Sequence, residues 1–127
     1  MSDGPKTVLV VDDEPDARDY LTTVLEDNGF ATVTAKDGTE AISRIEAEAP
    51  DLVSLDITMP EKSGVAVYRA LKGNEQLKSI PVIITTGISE EFEKFISSRR
   101  QVPPPDGYLS KPIESEQLIR RVRELLG

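Results

Sequence analysis

The chain has 127 residues with 23 acidic against 15 basic side chains, a formal net charge of −8, and that sign argues against direct binding to a nucleic-acid backbone. It contains no cysteine and no histidine, which removes disulfides, thiolate or imidazole metal sites, and every catalytic pair built on those side chains. No apolar run nears the roughly 20 residues that span a bilayer, and Met1-Ser2-Asp3-Gly4-Pro5 lacks the regions of a signal peptide, so a cytoplasmic location without membrane association is expected.

The length suits a single domain over residues 1–127, with residues 1–6 as a flexible lead. Residues 8–11, Val-Leu-Val-Val, form an apolar run that ends in Asp12-Asp13 and reads as a buried strand. Pro15 follows where a helix tolerates proline, and Ala17, Leu21, Val24 and Leu25 make a helical stripe that stops at Asn28-Gly29. Residues 30–35 predict a second strand, the most polar of the set and therefore suited to a sheet edge. Asp37-Gly38-Thr39-Glu40 has the N-cap and third-position acid of a capping box and leads into Ala41, Ile42 and Ile45, with Pro50 ending the helix.

A third strand, residues 52–56, ends in Asp56. The turn-rich residues 57–64 then precede a helix carrying Val65, Val67, Tyr68 and Leu71. Pro81 starts a fourth strand that ends in Thr85-Thr86. Ile88, Phe92, Phe95 and Ile96 predict a fourth helix that dissolves before Pro103-Pro104-Pro105-Asp106-Gly107. Tyr108 opens a fifth strand that runs to Lys111, and Leu118, Ile119, Val122, Leu125 and Leu126 give the last helical stripe.

Alternating strands and helices with right-handed crossovers predict a three-layer, doubly wound α/β sheet of parallel strands. Ligands bind such sheets at the carboxyl ends of the strands. Asp12, Asp13, Asp56, Thr86 and Lys111 should therefore converge on one sheet edge. Clustered carboxylates repel one another, and a hard, oxygen-loving dication relieves the conflict; Mg²⁺ suits a site without imidazole or thiolate. A carboxylate that attacks phosphorus needs charge neutralised on the equatorial oxygens, which a dication and a lysine supply, while a hydroxyl holds one oxygen. Taken singly, each residue has a plainer role: a helix-start acid, a turn acid, a β-branched strand residue or a solvated lysine.

These five residues, with Met59-Pro60, Gly64 and Lys111-Pro112, resemble the response-regulator receiver domain of two-component signalling over residues 7–126. The resemblance implies a flavodoxin-like (βα)5 fold with a five-stranded sheet in the order 2-1-3-4-5. It implies that Asp56 is the phospho-acceptor, with Lys111 and Thr86 holding the phosphoryl group. Asp13, Asp56 and the backbone carbonyl of Thr58 would ligate Mg²⁺, and Asp12 would help largely through water. Thr86 and Tyr108 would form the switch, Gly87 would leave access to the site open, and Lys111–Pro112 matches a bond that is cis in the family.

The implied phosphoryl donor is a histidine on a sensor kinase, and the output is a downstream protein target or a second histidine phosphotransfer protein. The chain stops at Gly127 after the last stripe, so a stand-alone receiver, monomeric or weakly dimeric and without an output domain, is expected. Residues 97–107 depart from the family in length and carry three prolines, which favours a stiff extended path. Two other readings stand beside this one: an aspartyl-nucleophile phosphatase of the haloacid-dehalogenase type, suggested by Asp56-Ile57-Thr58 after a hydrophobic strand, and a receiver that serves only as a scaffold.

Overall fold

The computed structural model describes residues 5–56, 64–86 and 106–126. The predicted fourth helix, Thr58, Gly87 and residues 97–105 lie outside the described residues. Five strands, β1 (Thr7–Val11), β2 (Ala31–Ala35), β3 (Leu52–Asp56), β4 (Val82–Thr86) and β5 (Gly107–Ser110), form one parallel sheet in the order β2-β1-β3-β4-β5. The described helices are α1 (Pro15–Asp27), α2 (Gly38–Ala47), α3 (Gly64–Lys72) and α4 (Ser115–Leu126). This is the flavodoxin-like order expected above. The polar β2 takes one edge, where Ala31 to Thr34 are only half-buried.

Because strand side chains alternate, the sheet divides the core into two halves. Leu9, Val11, Val53, Leu55, Val82 and Ile84 pack with Ala41, Ile45, Val67, Tyr68 and Leu71 beneath α2 and α3. Val8, Val10, Leu52 and Ile83 pack with Leu21, Leu25, Leu118, Ile119 and Val122 beneath α1 and α4. Among the described residues, the helical stripes read from the sequence are the faces that bury.

Helix ends follow the local chemistry. Gly29 adopts φ +92° after α1, and the N–H groups of Gly29 and Phe30 donate to Glu26 O (3.1 Å) and Leu25 O (3.1 Å). That is a Schellman stop, which needs the left-handed conformation glycine adopts freely. At α2, Asp37 accepts from Glu40 N (2.8 Å), as the capping box requires. The return bond differs, since Glu40 Oε1 accepts from Lys36 N (2.8 Å), one residue before the cap. The extended backbone at Asp37, φ −156° and ψ 177°, ends a segment along which the longer glutamate reaches back.

Aspartates also close two ladders at the edge where the strands begin. Asp51 donates N–H to Thr7 O (2.8 Å) and accepts Thr7 N–H on Oδ2 (2.7 Å). Asp106 repeats the arrangement two ladders across, between β4 and β5, donating to Val82 O (3.0 Å) and accepting Val82 N–H (2.8 Å). Lys72, at the end of α3, ties the second of these to the helix. Its side chain is 7% exposed and lies 3.6 Å from Asp106 Oδ2. The ammonium donates to Lys78 O and Ile80 O, both at 3.0 Å, and sits 5.8 Å from the Tyr68 ring centre.

One buried hydroxyl stands apart. Ser54, at the middle of β3 and 1% exposed, has no hydrogen-bond partner for Oγ among the described residues. An unsatisfied buried hydroxyl costs about 1–3 kcal/mol, so Ser54→Ala is expected to raise stability by about 1 kcal/mol in urea unfolding. A loss of similar size would show that the hydroxyl is satisfied in solution, for instance by a buried water.

Candidate functional site

The carboxyl ends of β1, β3 and β5 carry the residues singled out from the sequence. Asp12 follows β1 and is fully buried, Asp56 ends β3 at 1% exposure, and Asp13 is exposed. One carboxylate oxygen from each lies within 4.8 Å of the other two. Lys111 follows β5 and enters from the side, with Nζ 2.9 Å from Asp12 Oδ2 and 3.4 Å from Asp56 Oδ2. Glu14 Oε1 lies further out at 3.8 Å. The Lys111–Pro112 bond is cis, as the resemblance implied.

Asp12 is held on every side. Its N–H donates to Ala35 O (3.1 Å), Oδ1 accepts from Glu14 N (3.0 Å), Oδ2 accepts from Lys111 (2.9 Å), and its carbonyl accepts from Arg18 Nη1 (2.7 Å). The side chain of Asp13 forms no hydrogen bond or ion pair with a described residue. One acid is thus fixed by the protein, and its neighbour remains open to an external ligand.

The electrostatics follow from burial. Desolvation pushes the Asp12 carboxyl above its usual range, the Lys111 hydrogen bond pulls it back, and the Asp56 charge adds to the upward push. Burial alone would lower the Lys111 ammonium, but the Asp12 hydrogen bond and the Asp56 charge outweigh it and raise the pKa. The contact therefore keeps the lysine charged and offsets only part of the burial of Asp12, whose carboxyl stays raised, whereas Lys111 stays 21% exposed.

Three oxygen donors with no nitrogen or sulfur ligand fit a hard divalent cation such as Mg²⁺. Thr86 ends β4 opposite Ser110, and Tyr108 pairs with Ile84 two steps down the same ladder. Thr86 therefore lies at the acid cluster's edge of the sheet and Tyr108 further in along its strand; the side chains of both lie outside the described residues. The sequence reading missed Glu14 and Arg18. The available signal was that Arg18 is the only base among Asp12, Asp13, Glu14, Asp16 and Asp19.

Residues 8–123 match the response regulator receiver domain family. The chain belongs to this family, as a receiver domain of a response regulator in two-component signalling, a class of signalling switches and not of enzymes in the ordinary sense. Membership sets aside the haloacid-dehalogenase-like alternative. The chain is 35% identical over 121 residues to the alkaline phosphatase synthesis transcriptional regulatory protein PhoP of Bacillus subtilis (strain 168), covering 95% of this chain and 48% of that protein. It is 33% identical over 120 residues to protein PilH of Pseudomonas aeruginosa, covering 94% and 97%.

Among solved structures, the signal receiver domain of a signal transduction histidine kinase from Syntrophus aciditrophicus matches with a TM-score of 0.85 and 32% identity, covering 95% of this chain and 89% of that one. The chain thus spans about half the length of the transcriptional regulator it matches and nearly all of PilH. Among the described residues, no helix is long and apolar enough to cross a membrane.

Proposed function

We propose that this chain is a phosphorylation-dependent switch in which Asp56 accepts a phosphoryl group from a histidine of a sensor kinase and the phosphorylated form binds a partner protein. The supporting observation is the buried Asp56 carboxylate at a strand end, 3.4 Å from the Lys111 ammonium and grouped with Asp12 and Asp13. An Asp56 oxygen attacks phosphorus, the O–P bond of an acyl phosphate forms, the N–P bond to the donor imidazole breaks, and the imidazole leaves. Lys111 holds charge at the phosphoryl oxygens, and Thr86 is the proposed hydroxyl partner.

Asp13, Asp56 and the Thr58 carbonyl would hold Mg²⁺, with Asp12 acting through water; when bound, the ion neutralises the incoming phosphoryl group. Thr86 and Tyr108 are the proposed switch pair, and Gly87 the residue that leaves the site accessible. The whole chain is read as one receiver unit.

The test uses acetyl phosphate and intact-mass spectrometry. A single phosphoryl adduct that requires Mg²⁺ and maps to Asp56 is expected. Asp13→Ala should weaken Mg²⁺ binding by roughly tenfold or more, and by more than Asp12→Ala, because a direct ligand outweighs one acting through water. Absence of any adduct would make the chain a scaffold receiver, and equal affinity losses would overturn the division of roles between the two acids.

A further inference from the structure

Arg18 lies one turn into α1, half-buried, in a stretch crowded with acids. It forms no ion pair with any described residue. Its guanidinium instead donates to the backbone carbonyl of Asp12 at 2.7 Å. That carbonyl belongs to the peptide joining Asp12 to Asp13, so a bond from a packed helix fixes the plane from which Asp13 departs. The other bonds to Asp12 secure the N-terminal side of this residue and its carboxylate; the Glu14 N–H bond closes a turn over the following peptide, and among the described residues Arg18 is the group that holds that peptide's carbonyl.

We propose that Arg18 is a positioning residue for the acid cluster: by holding the Asp12 carbonyl, it presents the Asp13 carboxylate to a divalent cation. This inference rests on the reading of the cluster as a cation site. Arg18 does not touch the cation, and the arrangement is counter-intuitive on charge alone, since a guanidinium near a dication repels it. The hydrogen bond to the carbonyl directs that charge at the backbone, away from the carboxylates.

The two effects have opposite signs, and this makes the proposal testable. If Arg18 acts only through its charge, Arg18→Met tightens Mg²⁺ binding; if it acts by positioning, Arg18→Met weakens it. We expect roughly tenfold weaker binding, the scale of losses when a partner that orients a ligand is removed. Arg18→Lys, which keeps a donor on a shorter reach, should recover part of the loss, and Arg18→Gln, a neutral donor, should also recover part of it.

MgCl₂ alone is the probe, titrated by calorimetry and by the amide signals of Asp13 and Glu14, with urea unfolding run on each variant to confirm that all remain folded. In the absence of Mg²⁺, the Asp13 amide should already shift in Arg18→Met while those of β4 do not. Unchanged or tighter Mg²⁺ binding in Arg18→Met, beside a clear loss in Asp13→Ala, overturns the role of Arg18 and leaves the cation site standing. Unchanged binding in Asp13→Ala overturns the cation-site reading itself. A failure of both lysine and glutamine to recover any affinity would overturn the hydrogen-bond explanation.

Discussion

Asp56→Asn is expected to eliminate the phosphoryl adduct formed with acetyl phosphate while the protein stays folded. The amide is nearly isosteric with the carboxylate but is not a nucleophile toward phosphorus at neutral pH, so the loss should be complete within detection. Stability should rise by about 1 kcal/mol, because Asp12 and Asp56 are both buried, repel each other and share one lysine. A retained adduct that maps to another residue would overturn the assignment of Asp56. A fall in stability would show that the 3.4 Å attraction to Lys111 outweighs the repulsion from Asp12.

The second large effect lies at the opposite edge of the sheet. Lys72→Met keeps the length and apolar body of the side chain but removes the donor to Lys78 O and Ile80 O and the partner of Asp106. Breaking a buried, charge-assisted set costs about 2–4 kcal/mol. Lys78 supplies the control: it is 52% exposed and, among the described residues, its side chain pairs only with Glu75, three residues away, so Lys78→Met should change stability by less than about 0.5 kcal/mol. Paired thermal or urea unfolding decides the matter, and equal effects would show that burial of Lys72 does not contribute a clamp. Phosphorylation of Asp56 should survive in Lys72→Met, since Asp56 ends β3 at the carboxyl edge of the sheet and Lys72 lies beside Asp106 at the edge where the strands begin.

Four strand positions and their chemistry were legible because β1, β3, β4 and β5 are short apolar runs that lead into a functional residue type, and the polarity of residues 30–35 was enough to place β2 at an edge. The buried faces of α1, α2 and α4 were equally legible, because periodicity and burial are local properties of the chain. What the sequence did not distinguish is an aspartate that binds a ligand from one that binds backbone. Asp51 and Asp106 each precede a strand and close a ladder, a role that depends on the register between segments 44 and 24 residues apart and has no local signature.

Arg18 and Lys72 escaped for the same reason: each acts through a carbonyl or carboxylate that only tertiary packing brings within reach. The capping box at Asp37 was correct in its forward bond and displaced by one residue in its return bond, a shift decided by the extended backbone before α2. The predicted fourth helix and the proline-bearing residues 97–105 lie outside the described residues.

The two aspartate closures at the start of the strands give this small protein a handle as well as a fastening. All five strands run the same way, so the turn after α3, residues 73–79, lies at the far edge of the sheet from Lys111, and Glu75, Gln76, Lys78 and Ser79 there are exposed. The aspartate bonds and Lys72 anchor the backbone beneath that turn. A dye, a surface tether or a fused peptide attached there would sit on a fixed base and leave the mouth of the acid cluster uncovered, suiting the chain to single-molecule or sensor formats in which the working end must face solution.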